Sequence, residues 1–327
     1  MDPAGTAPVP VPRFDVRLDP PDLSPWRAGN TGLTGFTGFD SGRPGPHVAL
    51  VALTHGNEFA GAIALAELLR RGPRPARGRL TVGFANLAAF DRFNPAQPTA
   101  SRFLDEDLNR LWDPAVLDGP RRSAELDRAR EMRPLIDTVD VLLDLHSMLW
   151  PSDPLILSGP TLKGQALASG IGTPPLVVAD RGHASGPRLI DYAPFVHPEG
   201  AACACLVEAG QHWEPDTVAV TRACIAGLLR HLGLDWGLDW GLDWGPEWGE
   251  TASPPLLAEV TLAVTAATGG FAFVQPFRGG DVIPRRGTLI ALDGTAEIRT
   301  PHDDCLLVMP SLRPSRGHTA VRLARFL

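Results

Sequence analysis

The chain has 327 residues, 44% of them hydrophobic, enough for one large domain and a small one around apolar cores. Its 30 basic and 37 acidic residues give a net charge of −7, which argues against nucleic acid or an acidic membrane as a partner. Lys163 is the only lysine, so amine-nucleophile chemistry has one candidate, in no motif, and arginine must do the anion binding.

Residues 1–46, rich in Pro, Gly and Asp, are expected to form an irregular arm packed on the catalytic domain. The opening MDPAGTAPVPVPRFDV puts prolines where a secretion signal needs an apolar run, and no stretch reaches the length of a membrane span. A cytoplasmic location is therefore expected. The stretch 47–69, HVALVALTHGNEFAGAIALAELL, starts with an apolar run suited to a strand buried on both faces (47–53). It closes with apolar residues at helical spacing, predicting a helix over 57–71. Further on, RLTVGFANL (79–87) reads as a strand and ELDRAREMRPLID (125–137) as a helix. VDVLLDLHS (139–147), PPLVVAD (174–180) and AACACLVEAGQ (201–211) read as strands, and 215–232 as a closing helix. This alternation predicts an α/β fold, a mostly parallel or mixed sheet flanked by helices, over a domain at 47–233.

Residues 234–249 repeat a tetrapeptide, LDWG three times and then PEWG, and are read with residue 250 as a low-complexity linker. Its tryptophans could pack on the protein or at a contact between copies. From 251 to 327 short β-like runs separated by Gly, Pro and Asp predict a small all-β domain, with at most a last turn of helix. The cysteines, Cys203, Cys205, Cys224 and Cys305, have no disulfide or zinc-finger spacing and are expected to be small core residues.

Candidate chemistry sits at strand ends. His55 ends the first strand, and Glu58, three residues on, opens a helix, so both point beyond the carboxyl edge of the sheet. Imidazole and carboxylate are zinc-type ligands, and a hydrolytic zinc needs a third ligand and an open position. His146 ends another strand on the same edge and is the preferred third ligand; His212 is the alternative. Glu208, ending the strand CLVEAGQ, is placed to be the general base for an activated water. The charged stretch SRFLDEDLNRLW (101–112) has neither helical nor strand periodicity and reads as a loop.

HGNE, RFLDEDLNR, LDLHS and VEAGQ, in that order, resemble the succinylglutamate desuccinylase/aspartoacylase family, a branch of the zinc carboxypeptidase fold with a small C-terminal β domain. The resemblance implies one zinc ion per chain on His55, Glu58 and His146, with Glu208 as catalytic carboxylate. It implies that Arg102 polarises the scissile carbonyl, that Asn109 and Arg110 grip the substrate carboxylate, and that Asp107 holds their loop. Arg188 is the best match for a further substrate arginine. Tyr192 is the only tyrosine, so the family's substrate-binding tyrosine in the C-terminal domain is missing; His318 or Thr319 falls near its place.

The implied activity is hydrolysis of the amide of a small N-acyl amino acid, acetyl or succinyl in type. Rival readings are a metallocarboxypeptidase acting on peptides and a metal-binding module without catalysis. Asn57 ahead of Glu58 and the β tail favour the deacylase over the first, and a pure binder has no use for Glu208. There is no nucleophile elbow, phosphate-binding loop or dinucleotide fingerprint. Self-association into a homo-oligomer is left open.

Overall fold

A computed structural model describes residues 14–183, 185–237, 244 and 254–327. In chain order the elements begin with β1 (Phe36–Asp40), β2 (His47–Ala52), α1 (Ala60–Arg71), β3 (Arg79–Phe84) and the short α2 (Leu87–Phe90). They continue with α3 (Pro114–Leu117), α4 (Ala124–Ile136), β4 (Val141–Met148), β5 (Leu155–Leu157), α5 (Leu162–Ile171) and β6 (Leu176–Ala179). Then come α6 (Ala193–Val196), β7 (Cys203–Gln211), α7 (Pro215–His231), β8 (Leu256–Thr265), β9 (Phe271–Phe273) and β10 (Val282–Ile283). The last four are β11 (Leu289–Asp293), β12 (Ala296–Arg299), β13 (Cys305–Val308) and β14 (Thr319–Phe326).

Eleven strands form one sheet in the order β1-β3-β2-β4-β7-β5-β6-β8-β14-β13-β10. Its middle, β3-β2-β4-β7, is parallel. The apolar strands are buried on both faces, as their composition predicts. In β2, Val48, Leu50 and Ala52 join the core under α1, α5 and α7, while Ala49 and Val51 join the core under α4. In β7, Cys205 and Val207 face the first core and Ala204 and Leu206 the second. Ends are set locally: α1 stops at Gly72, which takes a left-handed φ of 65°, and the Ser123 side chain caps α4 by accepting from Leu126 N–H.

The structure departs from the sequence reading in places. The N-terminal segment is not irregular throughout, because Phe36–Asp40 pairs antiparallel with β3 and forms the edge of the sheet. Composition hid it, since FTGFD lacks an alternating apolar pattern. The short β5 and helix α5 were also not apparent. The C-terminal β region does not stand apart from the sheet: β8 pairs parallel with β6, so the same sheet crosses from one region to the other. A separate sheet, β12-β11-β9, packs on it around Val264, Phe271, Ile290, Leu307, Val321 and Leu323. The final residues are a strand and not a turn of helix.

Most of the 234–250 segment expected to be a linker lies outside the described residues. Trp236 and Trp244, which are described, are buried in the main core, and Trp236 Nε1 donates to Leu229 O at 2.9 Å. All four cysteines are unpaired, and three of them are buried.

Candidate active site

The turn after β2 is the first component. Leu53, fully buried, takes a left-handed φ of 58°, an uncommon state for a residue with a side chain and one found where a fold over-determines a site. Two residues later His55 leaves the strand edge, and Glu58 N–H donates back to His55 O at 3.1 Å. Gly56 between them must be glycine. Its N–H donates to Arg102 O at 3.0 Å, and a side chain there would run into Ser101 O and Phe90 N. The turn and the 101–112 loop are thereby locked together.

His55, Glu58 and His146 bring one donor atom each to within 4.8 Å of one another, all three side chains buried. His55 Nδ1 lies 2.8 Å from Glu58 Oε1, and His146 Nδ1 lies 3.0 Å from Glu58 Oε2. The far nitrogen of each ring meets a carboxylate: His55 Nε2 is 2.8 Å from Asp107 Oδ1, and His146 Nε2 is 2.8 Å from Asp144 Oδ2. An aspartate on Nε2 favours the tautomer that keeps a proton there and offers Nδ1 as the ligand atom once any proton on Nδ1 is displaced; at His55, Arg102 Nη2 also lies 2.9 Å from Nε2. His55 Nδ1 is buried and makes no well-aligned hydrogen bond, although Glu58 Oε1 lies 2.8 Å away. Two imidazoles and a carboxylate, buried and with their donor atoms converging, fit a divalent cation such as zinc.

The charges agree with that geometry. Burial alone would raise the Glu58 carboxyl, but His55 and His146 hold it well below the usual carboxylate range. Burial would lower the His146 imidazole, but Asp144 and Glu58 hold it well above its ordinary value. Asp107, despite its burial, is kept far below its usual range by His55 and by Arg102 and Arg110.

Glu208 is brought in by strand register. β4 and β7 are parallel neighbours, and His146 stands directly opposite Glu208. Both share a face with Asp144, because side chains along a strand alternate. The carboxyl of Glu208 is buried, with Oε2 unpartnered among the described residues. Burial pushes it up to about 8; Glu58 pushes the same way, and His146 and Arg102 only partly offset this.

The 101–112 loop is shaped by a buried acid that the sequence reading did not single out. Glu125, at the start of α4, accepts from the backbone N–H groups of Leu104 (2.6 Å), Asp105 (3.0 Å) and Glu106 (3.2 Å). So held, the loop lays Arg102 across the His–Glu–His group, with Nη1 donating to Glu58 Oε1 at 2.9 Å. Asp107 does hold the loop, accepting from Asn109 N–H at 2.9 Å, and also supports His55. Asn109 is divided: Oδ1 accepts from Leu189 N–H at 2.8 Å, and Nδ2 lies 3.5 Å from His146 Nε2. Arg110 donates from Nη1 to Asn109 O at 2.5 Å, and burial lowers its guanidinium to about 10.

These residues line a cavity of about 570 Å3 whose outer wall is built by the C-terminal region, including Met309, Arg313, His318, Thr319 and Arg322. Thr319 Oγ1 lies 3.2 Å from His183 Nε2. A larger cleft of about 850 Å3 surrounds His47, at the opposite end of β2 from His55. Both ring nitrogens of His47 are engaged there, by Thr138 and Thr81.

Some expected residues sit differently. Arg188 reaches the cavity wall, but its guanidinium is engaged by Asp180 and Asp191, at 2.6 Å and 2.7 Å. His212 also lines the cavity, with Nδ1 held 2.8 Å from Ser147 Oγ, outside the His–Glu–His group. Tyr192 is buried away from the cavity, donating to Asp137 Oδ1. Asp144 and Arg322 were missed. Asp144 could have been found two residues before His146 on the same strand face, and Arg322 as the one charge inside the apolar alternation AVRLA.

Residues 44–232 match the succinylglutamate desuccinylase/aspartoacylase catalytic domain. The chain belongs to this family. A stretch of 109 residues is 29% identical to N-acyl-aromatic-L-amino acid amidohydrolase (carboxylate-forming) A of Danio rerio, covering 31% of this chain and 32% of that relative. The chain thus matches about a third of the curated relative's length. Among solved structures, succinylglutamate desuccinylase from Vibrio parahaemolyticus superposes with a TM-score of 0.64 at 16% identity, over 90% of this chain and 86% of that one. The ectoine utilisation protein EutE from Ruegeria pomeroyi superposes with a TM-score of 0.60 at 18% identity, over 88% of each chain. Both likenesses establish the desuccinylase/aspartoacylase fold for this chain.

Proposed function

We propose that this protein is a zinc-dependent amidohydrolase that cleaves the amide bond of a small N-acyl amino acid. The observation that carries the reading is the convergence of His55, Glu58 and His146, each imidazole backed by an aspartate, beside the buried Glu208 carboxyl with its unpartnered Oε2. His55, Glu58 and His146 would hold the ion. When bound, it would lower the pKa of a water molecule and polarise the acyl carbonyl.

Glu208 acts as the base. It takes a proton from the attacking water and passes it to the departing amine; in the empty site burial raises the carboxyl to about 8, where it is protonated at neutral pH and cannot yet accept that proton. A cation on the neighbouring ligands would draw that value down again. Arg102 stabilises negative charge developing on the carbonyl oxygen, and Asn109 and Arg110 orient the substrate through its carboxylate. The cavity is walled on one side by the 309–318 loop and by Thr319 and Arg322 of β14, which suits a small acyl amino acid better than a peptide. The zebrafish relative's name supports the N-acyl amino acid class. A cytoplasmic location is part of the proposal, supported by four unpaired cysteines. Among the described residues no helix is long and apolar enough to cross a membrane.

Metal analysis of the purified protein, with a panel of N-acetyl and N-succinyl amino acids and a peptide series, tests this reading. One zinc per chain and hydrolysis of acyl amino acids are expected. Glu208→Gln should keep the metal and lose turnover on the order of 100- to 10,000-fold. Near-normal turnover in that variant refutes the base assignment, and preferential release of C-terminal residues from peptides refutes the substrate class.

A further inference from the structure

Three arginines from outside the quoted motifs, Arg188, Arg313 and Arg322, line the cavity, and the guanidinium groups of Arg188 and Arg322 are in different states. Arg188 donates Nε to Asp191 Oδ2 (2.7 Å), Nη1 to Asp180 Oδ2 (2.9 Å), and Nη2 to Asp180 Oδ1 (2.6 Å) and Asp191 Oδ1 (3.0 Å). Little donor capacity is left for a ligand. Arg322, by contrast, is only 9% exposed, yet its closest carboxylate oxygen is Asp180 Oδ2 at 3.8 Å, beyond hydrogen-bonding range. That oxygen already accepts from Arg188. Among the described residues no hydrogen-bond acceptor serves the Arg322 guanidinium.

Strand alternation explains its position. On β14, Val321 and Leu323 pack into the C-terminal core, while Ala324 turns to the core under α4 and Arg322 turns with it, into the cavity wall. Asp180, Glu208 and Asp191 attract it through space, but only Asp180 comes within 4 Å and none is hydrogen-bonded to it. Arg110 and Arg188 act against it, and burial together with these arginines pushes the His183 imidazole down to about 3. A nearly buried cation with an unused planar fork, opening on a reaction cavity, is costly unless an anion completes it. A carboxylate matches that fork.

Resting on the deacylase reading, we propose that Arg322 is a substrate-anchoring residue that receives a carboxylate of the N-acyl amino acid, and that Arg188 is the strut shaping the wall beside it. The C-terminal β region would then contribute a binding group as well as a wall.

The test uses full-length Glu208→Gln protein, so that substrates bind without turning over. Calorimetry would measure N-acetyl-L-phenylalanine (one carboxylate), N-acetyl-L-glutamate (a second, in the side chain) and N-succinyl-L-phenylalanine (a second, in the acyl chain). Each is measured with Arg322 intact, with Arg322→Gln and with Arg322→Lys. Arg322→Gln should weaken binding on the order of 10- to 100-fold, with partial recovery in Arg322→Lys and little change in melting temperature. In the active background the change should fall on KM more than on kcat.

A loss with all three compounds assigns Arg322 to the α-carboxylate; a loss with only one dicarboxylate assigns it to that compound's extra group. Equal binding of all three to folded Arg322→Gln protein overturns the proposal, as does failure of all three to bind when Arg322 is intact. If the glutamine variant does not fold, the lysine variant carries the comparison. Binding through Arg322 without hydrolysis by the wild-type enzyme sinks the deacylase reading and leaves the anchor. Normal hydrolysis and binding without Arg322 does the reverse.

Discussion

Replacing Asp144 with Asn probes the proposed metal centre through a residue that would touch neither metal nor substrate. Asp144 is wholly buried, with Oδ2 2.8 Å from His146 Nε2 and Oδ1 accepting from Thr54 Oγ1 at 3.0 Å. The substitution keeps volume and shape. If Thr54 continues to donate to the amide oxygen, the amide NH2 faces His146 Nε2 and forces that nitrogen to accept. The ring proton then moves to Nδ1, the atom needed as ligand. If the amide flips, the oxygen meets the ring, but a neutral acceptor replaces a charged one, and charge-assisted bonds are roughly twice as strong. Either way the imidazole becomes a poorer ligand. Outer-shell carboxylates of this kind contribute about 10- to 100-fold in metal affinity, or about 1.4 to 2.7 kcal/mol. Competition of the protein with a chelator of known zinc affinity measures it directly. A folded Asp144→Asn protein with wild-type zinc affinity would show that Asp144 does not orient a ligand, and the Nδ1 assignment would lose its support.

Three further outcomes are expected. In the metal-free site His146 holds its proton to unusually high pH, so zinc must displace it. Zinc affinity should fall as pH drops, and calorimetry in buffers of different ionisation enthalpy should detect proton release. The Glu208 carboxyl rises from an ordinary 4.5 to about 8, so the folded metal-free chain holds a proton that the unfolded chain releases. Its contribution to stability is complete below 4.5 and is lost as pH rises through 8; urea titrations across that window should show a downward slope that Glu208→Gln removes. Gly56→Ala should push the Ser101–Arg102 backbone away and destabilise the fold by about 1–3 kcal/mol, with a larger fall in turnover than in melting temperature. A fully active alanine variant would show that the loop can yield.

The sequence was informative wherever a property is local. An unbroken apolar run reports burial on both faces, and a histidine or glutamate at its end reports the carboxyl edge of a parallel sheet, so His55, His146 and Glu208 could be singled out from spacing alone. Resemblance to a known order of motifs added the loop residues Arg102, Asn109 and Arg110. The edge strand Phe36–Asp40 was not legible, because its pairing with β3 makes it a strand and its own composition does not.

What only the tertiary structure decided is which far-separated groups meet. Strand alternation puts Arg322 on one of two faces, but the β6–β8 pairing brings that face over the active site. Likewise, Asp180 and Asp191 turn Arg188 from a candidate substrate ligand into an occupied one. Arginines look alike in a sequence. A charge's partner is set by packing between distant elements, so the saturated guanidinium and the open one could be told apart only in the folded chain.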